Sequence, residues 1–466
     1  MIVSGETSTQ PFVSIIVLNL NGDKVINQCL DCLLNQTYTH YEIIVVDNGS
    51  TDKSIAILES YLSTNKMSVV RSQTNRGCAG GRNLGLTCAN GELIAFIDND
   101  GYADARWLEE GVRTLISDQT IGAVAAVVFF AKRKLVLNGA GGTLTLRGYG
   151  SDICCNEPYE FAQLPHEVLY PMGCGMIVQR AVFDVIGLWD DILPNYYDDV
   201  ELGIRIWMMG KRVVVAHNAW VDHEHSFSNQ FFRNKALLCE KGRIRTVLKY
   251  YPIEKLLMWF VKEVRHTQNY PLDKKLLLEA WFWNIQHLLS VMYWRVKFTS
   301  SRNRFWNKLH PSWGMSIPHG PNNHEYNPNI NDFKDEVQFD GAEDTNSLNY
   351  GWYHPEADAC TAYRWGSAYS SVLIRFSTSV KSLYVKICVP WEKTRVRIIL
   401  RSFGEISPLK EHTYNSSNEA WVWEEIIIPC IIPAGSYELL IVPEQVHTDL
   451  IGRQLGVAVA AVGKYS

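Results

Sequence analysis

The sequence predicts an α/β fold with a mostly parallel, doubly wound sheet, followed by a helical segment and an all-β sandwich. Three patterns predict it. Strand-like and helix-like stretches alternate over residues 1–235, residues 236–310 are helical, aromatic and basic, and residues 346–466 hold short β-branched runs separated by turn residues. Residues 311–345 are rich in Pro, Gly, Asn and Asp, which is typical of a linker.

The prediction for residues 1–235 rests on short apolar runs, separated by stretches in which apolar residues have helical spacing. The predicted strands are Val13–Asn19, Glu42–Asp47, Leu93–Asp98, Ala123–Phe130 and Arg212–Ala216. Their nearly continuous apolar character indicates a sheet that is covered on both faces. The predicted helices lie after the first two strands: apolar residues recur every three to four positions from Val25 to Leu33, and a second helix covers Ser54–Leu62.

Composition excludes several classes of protein. The 466 residues carry 44 Lys/Arg and 49 Asp/Glu, and this net charge of −5 argues against an electrostatic nucleic-acid binder. The eleven cysteines are odd in number and lack metal-ligand spacing, which predicts reduced thiols in a cytoplasmic protein. The N-terminus lacks the pattern of a signal peptide, and no apolar run of about eighteen residues predicts a spanning helix.

The charge is distributed unevenly. Residues 232–310 hold sixteen Lys/Arg and five Asp/Glu, a net charge of +11, so the remainder carries −16. A basic amphipathic segment favours peripheral contact with anionic headgroups of the inner membrane leaflet. A helical hairpin packed on the preceding domain, or a dimer contact, would explain the apolar residues equally well.

Carboxylates follow two predicted strands. Asp47 ends the second strand, where ligands bind in open α/β sheets, whereas Asp52 fits the cap of the next helix. Asp98 and Asp100 end the strand at 93–98, and such a pair suits Mg²⁺ or Mn²⁺ holding a diphosphate. The alternative for this pair is a plain polar turn.

Further along the chain, three patterns point to the same chemistry, each with a structural alternative. The glycine-rich stretch 75–83, with Arg76, Gly80 and Gly81, suits a diphosphate at a helix N-terminus, but glycines also permit close packing. The pair Asp198–Asp199 suits a general base, although one acidic residue would also stabilise a helix N-terminus. His223 lies in an HxH pattern that could bind a metal, but such histidines are more often structural.

In this order, the motifs resemble those of inverting family-2 glycosyltransferases of the GT-A fold, closest to the rhamnosyltransferase-like branch. The resemblance covers about residues 12–232. It rests on VSIIVLNLNG (13–22), QTY (36–38), VVDNGSTD (45–52), NRGCAGGRN (75–83), DND (98–100), GCGMIVQRAVFDVIGLWDD (173–191), DDVELGIR (198–205) and HEHS (223–226).

The resemblance implies a GT-A nucleotide-diphospho-sugar transferase fold and specific roles. Asn19, Asn21 and Asp47 would line the nucleoside pocket. Asp98 and Asp100 would hold the metal and diphosphate, with His223 close to them. Asp199 would be the base. The chain departs from the family by having Asp198 where Glu is usual, Glu201 where Asp is usual and Arg82 where Asn is common, which leaves the donor preference open.

The expected function is therefore inverting, Mn²⁺- or Mg²⁺-dependent sugar transfer from a UDP-, dTDP- or GDP-sugar to a glycan or lipid-linked glycan, in cell-surface polysaccharide synthesis. A sugar nucleotidyltransferase is disfavoured because no basic, glycine-rich loop follows the first strand. A sugar-binding scaffold with an inactive transferase domain is the non-catalytic alternative. The C-terminal region resembles β-sandwiches appended to some bacterial polysaccharide glycosyltransferases, where residues such as Trp352 and Trp365 would either stack on sugar or fill the core.

Overall fold

The computed structural model separates the chain into two compact units. The first comprises residues 1–131, 138–154 and 163–317, and the second comprises residues 132–137, 155–162 and 318–466. The structure describes residues 10–160, 162–193, 195–224, 232–268, 274–298, 302–311, 336–338, 348–357, 362–376, 378–390, 394–402, 408–416, 422–444, 447–448, 454–455 and 458–464.

Strands and helices alternate through the first part of the chain. The strands are β1 (Val13–Asn19), β2 (Tyr41–Asp47), β3 (Met67–Arg71), β4 (Leu93–Asp98), β5 (Gly101–Ala103), β6 (Ile121–Phe130), β7 (Arg133–Gly139), β8 (Gly142–Leu144), β9 (Gly150–Asp152), β10 (Met176–Gln179) and β11 (Arg212–His223). The helices between them are α1 (Ile26–Leu34), α2 (Ser54–Tyr61), α3 (Gly77–Cys88), α4 (Trp107–Ile116), α5 (Arg180–Ile186) and α6 (Asp198–Met209).

The central sheet of the first unit is mixed, with the order β3-β2-β1-β4-β10-β6-β11-β5. The pairs β1–β2, β1–β4, β2–β3 and β6–β11 are parallel, whereas β10 and β5 run antiparallel to their neighbours. The predicted α/β class is confirmed. Strands β3, β5, β7 and β10 of this sheet are not predicted from the sequence, and β3 and β10 have only five and four residues.

Strand register brings the polar strand ends to one edge of this sheet. Asn19 pairs with Asp47 across β1 and β2, and Leu18 pairs with Asp98 across β1 and β4. The strands are buried along nearly their whole length, as the apolar runs predict. Their carboxyl ends therefore present side chains at a common edge, which is where open α/β sheets bind ligands.

The described part of the first unit contains further helices after β11: α7 (Phe232–Tyr250), α8 (Ile253–Gln268), α9 (Lys274–Gln286), α10 (Leu288–Lys297) and α11 (Asn303–Trp306). Helix α7 is buried on its apolar and on part of its basic surface, since Val247, Arg243 and Lys249 are all fully buried. Its cations pair with carboxylates of the same unit. No helix among the described residues is long and apolar enough to cross a membrane.

The second unit is built from strands, which confirms the all-β prediction. They are β12 (Glu336–Gln338), β13 (Leu348–Ala357), β14 (Ala362–Phe376), β15 (Val380–Val389), β16 (Arg395–Ser402), β17 (Lys410–Asn415), β18 (Val422–Ile432), β19 (Gly435–Pro443), β20 (His447–Thr448), β21 (Gln454–Leu455) and β22 (Ala458–Lys464). A nine-stranded antiparallel sheet has the path β17-β16-β19-β14-β22-β15-β18, with β12 beside β22 and β13 beside β14. Inward-facing Val385, Ile398 and Leu439 belong to its core.

Two predictions in the C-terminal half fall largely outside the described residues. These are the linker over residues 311–345 and a sugar-stacking or core position for the side chains of Trp352 and Trp365. The boundaries of the four predicted domains stay predictions.

Candidate active site

A cleft of about 470 Å³ opens at the carboxyl edge of the central sheet. Its walls come from the ends of β1 and β4, the start of α3, the hairpin β8–β9, the segment before β10, the start of α6 and the end of β11. It is lined by Leu18, Leu20, Asn48, Asn75, Gly77, Cys78, Arg82, Asp98, Asn99, Asp100, Asn138, Asp152, Met172, Gly173, Cys174, Asn195, Tyr196, Tyr197, Asp198, Asp199, His223 and Lys235.

One wall gathers groups that can bind a metal. Strand β11 pairs with β5, and the register His223–Gly101 places the imidazole beside the turn that carries Asp98 and Asp100. The His223 Nε2 atom lies 3.2 Å from Asp100 Oδ1. Ligand atoms of Asp98, Cys174 and His223 all lie within 4.8 Å of one another. Carboxylates and an imidazole suit Mg²⁺ or Mn²⁺, and the thiol adds a softer donor.

A hydrogen bond at the Nδ1 side of the ring fixes the orientation of the His223 imidazole. The His223 Nδ1 atom lies 2.8 Å from Asn138 Oδ1, so an Nδ1–H that donates to Asn138 leaves Nε2 directed at the carboxylates. Burial by itself lowers the pKa of His223, but the hydrogen bond and charge of Asp100, together with Asp98, raise it. The same carboxylates reinforce burial in raising the pKa of the Cys174 thiol well above its usual range.

A buried guanidinium joins the two walls of the cleft. Arg82, on α3, pairs with Asp198 at the start of α6, and its Nη2 atom lies 3.2 Å from Asp98 Oδ1. Burial alone would lower the pKa of Arg82, but these two carboxylates raise it. A guanidinium held between two carboxylates fixes the distance between the metal-binding wall and helix α6.

Asp199 lies on the opposite wall, in the first turn of α6. The residue before the helix, Tyr197, adopts a left-handed conformation with φ 68°. The backbone N–H of Val200 donates to Asp199 Oδ1 at 2.8 Å. Burial, and then the neighbouring charge of Asp198, raise the pKa of Asp199 to about 8. A carboxyl group with a pKa near neutrality is suited to accept a proton from a substrate hydroxyl.

A second half-buried carboxyl group, which no sequence motif indicates, lies near Asp199. Asp152 ends β9, and the hydroxyl of Tyr170 donates to its Oδ1 at 3.4 Å. Burial raises the pKa of Asp152 to about 6. Lys235, at the start of α7, also lines this part of the cleft. No motif surrounds these residues, and only the fold brings them to the cleft.

The residues predicted to hold the nucleoside form a connected polar cluster beside the cleft. The Asn19 side-chain amide donates to Asp47 Oδ1 at 3.3 Å, and its Oδ1 accepts from the Nδ2 of Asn99, a lining residue, at 2.9 Å. Asn21 Oδ1 accepts from the backbone N–H of Thr51 at 2.8 Å. Asn19 and Asp47 are buried and Asn21 is exposed. The structure thus brings these three together, while their role in binding stays a prediction.

The glycine-rich stretch is closely packed, which is one of the two alternatives that the sequence leaves open for it. A Cβ on Gly81 would lie 2.3 Å from Leu18 Cδ1, and one on Gly80 would lie 2.9 Å from Arg76 Cβ. None of Arg76, Gly80 and Gly81 lines the cleft. Close packing of α3 on β1 explains Gly81 without a ligand. Contact of these three residues with a diphosphate stays a prediction.

Part of the chain is similar in sequence to a known protein family. Residues 14–187 match the family model described as Glycosyl transferase family 2. This part of the chain therefore resembles family-2 glycosyltransferases in sequence.

Among curated relatives, the putative glycosyltransferase EpsH of Bacillus subtilis is 40% identical over 104 residues, which cover 22% of this chain and 30% of EpsH. The O-antigen biosynthesis protein RfbC of Myxococcus xanthus is 27% identical over 230 residues, covering 47% of this chain and 18% of RfbC. The matched stretches thus span less than half the length of these relatives.

Solved structures with a similar arrangement include the mannosyltransferase PcManGT of Pyrobaculum calidifontis with GDP-Man and Mn²⁺. It has a TM-score of 0.40 and 18% identity, over 65% of this chain and 89% of that one. GalNAc-T7 with UDP, GalNAc and Mn²⁺ has a TM-score of 0.49 and 14% identity, over 77% of this chain and 65% of that one.

Proposed function

We propose that this chain is an inverting glycosyltransferase that moves a sugar from a nucleoside-diphosphate donor to a hydroxyl group of a glycan. The observation that carries the proposal is the composition of one cleft. A cluster of metal-binding groups (Asp98, Asp100 and His223) lies on one wall, and a half-buried carboxyl group with a pKa near 8, Asp199, lies on the other.

The metal-binding groups fit a divalent cation on the chemistry of their donor atoms. Asp98, Asp100 and His223 would hold it, with Cys174 adjacent. When bound, a divalent cation supplies positive charge that stabilises the departing nucleoside diphosphate. Mg²⁺ and Mn²⁺ both accept this set of ligands.

The protein's own residues supply proton transfer and orientation. Asp199 accepts the proton of the acceptor hydroxyl, which attacks the anomeric carbon from the face opposite the diphosphate. One displacement of this kind inverts the configuration at that carbon. Arg82 keeps Asp198 and Asp98 apart at a fixed distance, and so positions helix α6 relative to the donor side.

The acceptor side of the cleft is polar and acidic, which suits a polyhydroxylated acceptor. Asp152 can accept a hydrogen bond from an acceptor hydroxyl when it is ionised, and Lys235 can donate one. The name of the Myxococcus xanthus relative, an O-antigen biosynthesis protein, supports a polysaccharide or lipid-linked glycan as acceptor. The donor nucleotide is proposed to be one of UDP, dTDP or GDP.

The first test is calorimetric titration of the full chain with UDP, dTDP and GDP, each with and without Mn²⁺. We expect one nucleotide to bind tightly and only with the metal, which would also narrow the donor to that nucleotide's sugars. If none of the three binds, the carboxylate cluster is not an assembled donor site and a sugar-binding scaffold becomes the better explanation.

The second test separates binding from chemistry. Asp199→Asn should lower the rate of transfer at least about a hundredfold, because an amide cannot accept the proton. Nucleotide affinity should stay unchanged. Asp184→Asn is the matched control, since Asp184 is exposed on α5 and does not line the cleft. Transfer retained in Asp199→Asn removes Asp199 from the mechanism. Retention of the donor's anomeric configuration in the product would refute single displacement.

A further inference from the structure

We propose that the outward face of helices α8, α9 and α10 docks on the surface of an anionic lipid bilayer. This inference does not depend on the transferase activity. The face, called the apolar face below, consists of Ile253, Leu257, Phe260, Val261, Val264, Leu278, Phe282, Ile285, Leu289, Met292, Tyr293 and Val296.

The spacing of these residues shows that they form stripes and are not scattered. On α8 they follow the spacing 253, 257, 260, 264, and along α9 and α10 the spacing 278, 282, 285, 289, 292, 296. Intervals of three and four residues place side chains on one side of a helix. The exposed fractions are large for apolar residues: 65% for Leu257, 60% for Phe282 and 87% for Leu289.

The stripes lie beside one another. The rings of Phe260 on α8 and Trp281 on α9 are stacked, with centroids 5.8 Å apart, and Trp259 packs against both. Helix α10 begins two residues after the end of α9. The result is a broad apolar surface across three helices. A contiguous exposed surface of this kind marks an interaction site in a folded protein.

The charges around the face are mainly positive. Three cations of α7 are buried and paired with carboxylates, namely Arg243, Arg245 and Lys249. They therefore add no positive charge to the exposed surface. The exposed cations described on α8–α10 are Arg265, Lys274, Lys275 and Lys297, and the exposed acids described there are Glu254 and Glu279. An apolar face with basic residues along it complements anionic headgroups.

A bilayer fits this surface better than a second copy of the chain does. A second copy would bring the same excess of positive charge against itself, which costs binding energy, whereas anionic lipid would neutralise it. The described helices are too short or too polar to span a membrane, so they would lie in the plane of the interface.

The test is flotation of the full chain with phosphatidylcholine vesicles and with vesicles that also contain phosphatidylglycerol. We expect flotation with the second kind, weakening as salt is raised. The double variant Lys274→Gln/Lys275→Gln should bind anionic vesicles about twenty-fivefold more weakly, at about fivefold for each charge. The triple variant Leu257→Ser/Phe282→Ser/Leu289→Ser should lose flotation.

A matched control keeps the test specific. Ile116, 55% exposed on α4, lies outside the apolar face, and Ile116→Ser should float like the unchanged chain. All these positions are exposed, so the variants should keep the circular dichroism of the parent. The proposal is overturned if the unchanged chain fails to float with anionic vesicles. It is also overturned if light scattering shows a dimer that the triple variant dissociates while vesicle binding is absent.

Discussion

The buried ion cluster that joins α7 to the catalytic domain gives the sharpest prediction about stability. Lys249 Nζ lies 2.8 Å from Asp190 Oδ2 and also pairs with Glu201 of α6. Arg245 Nη2 lies 2.6 Å from the same Asp190 oxygen. Lys249 and Glu201 are fully buried. Burial lowers the pKa of Lys249, and the charges of Glu201 and Asp190 oppose that effect.

Replacing Lys249 by Met removes the cation and leaves the Glu201 carboxylate buried without a counter-charge. Breaking a buried pair from one side costs about 3–5 kcal/mol, since the remaining charge keeps its desolvation penalty. Removing that charge as well, in Lys249→Met/Glu201→Gln, should restore at least about 1 kcal/mol. The coupling between the two positions is then favourable and measurable by a double-mutant cycle.

The assay is urea unfolding followed by far-ultraviolet circular dichroism. All described helices lie within the first unit, so the helical signal reports on that unit. Arg71→Met is the matched control, because Arg71 and Glu59 form an ion pair in which both side chains are at least half exposed. That variant should lose less than about 1 kcal/mol. If Lys249→Met loses no more than the control, or the double variant is no better than the single one, the reasoning is wrong.

Three further predictions concern the cleft and the sheet. The value of kcat/KM should rise with pH through an apparent pKa near 8, because Asp199 must be ionised to accept the proton. Asp152→Asn should move this rise to lower pH, since the charge of Asp152 raises the pKa of Asp199. A pH profile unchanged by Asp152→Asn contradicts this reasoning. Cd²⁺ should give a thiolate charge-transfer absorbance in the unchanged protein but not in Cys174→Ala, whereas equal spectra would place the thiol outside the metal cluster. Gly81→Ala should lower the free energy of unfolding by about 1–3 kcal/mol, because the added Cβ would lie 2.3 Å from Leu18 Cδ1 in a packed region. A thermal melt that matches the parent's would show instead that the Leu18 side chain moves aside without cost.

The sequence predicts the fold best where one physical constraint dominates. Strands Val13–Asn19 and Leu93–Asp98 are predicted to the residue, because a strand covered on both faces must be apolar throughout and must end where polar residues begin. The same reasoning brings Asp98 and Asp100 to the ligand-binding edge of the sheet. Strand β10 could not be predicted, because four residues are too few to show a strand pattern. Its antiparallel pairing with β4 depends on the path of the chain before it, which the local sequence does not specify.

The candidate site, in contrast to the strands, contains residues that only the tertiary structure brings together. Asp199 and His223 lie in motifs, but Asn138 and Asp152 enter the cleft from β7 and β9, which carry no motif. Their contribution depends on tertiary structure: Asn138 orients the imidazole, and Asp152 adds a second acid whose pKa is raised. Arg82 is visible in the sequence as a cation near glycines, yet its partners are two carboxylates from distant positions in the chain.

The charge of the helical segment illustrates why net charge alone does not identify a partner. Its excess of +11 is partly matched within the same unit, because Lys249 and Arg245 meet Asp190, and Lys308 meets Glu167 at 2.7 Å. Those pairs place Asp190 and Glu167, which precede the helical segment in the chain, in contact with basic residues of that segment. Part of the positive charge of residues 232–310 is therefore neutralised where the segment packs on the rest of the unit. Only the cations left outside that interface can attract an external anion. Charge removal at Lys274 and Lys275 therefore tests membrane docking, whereas charge removal at Lys249 tests folding, and a variant set that mixes the two would give no separable result.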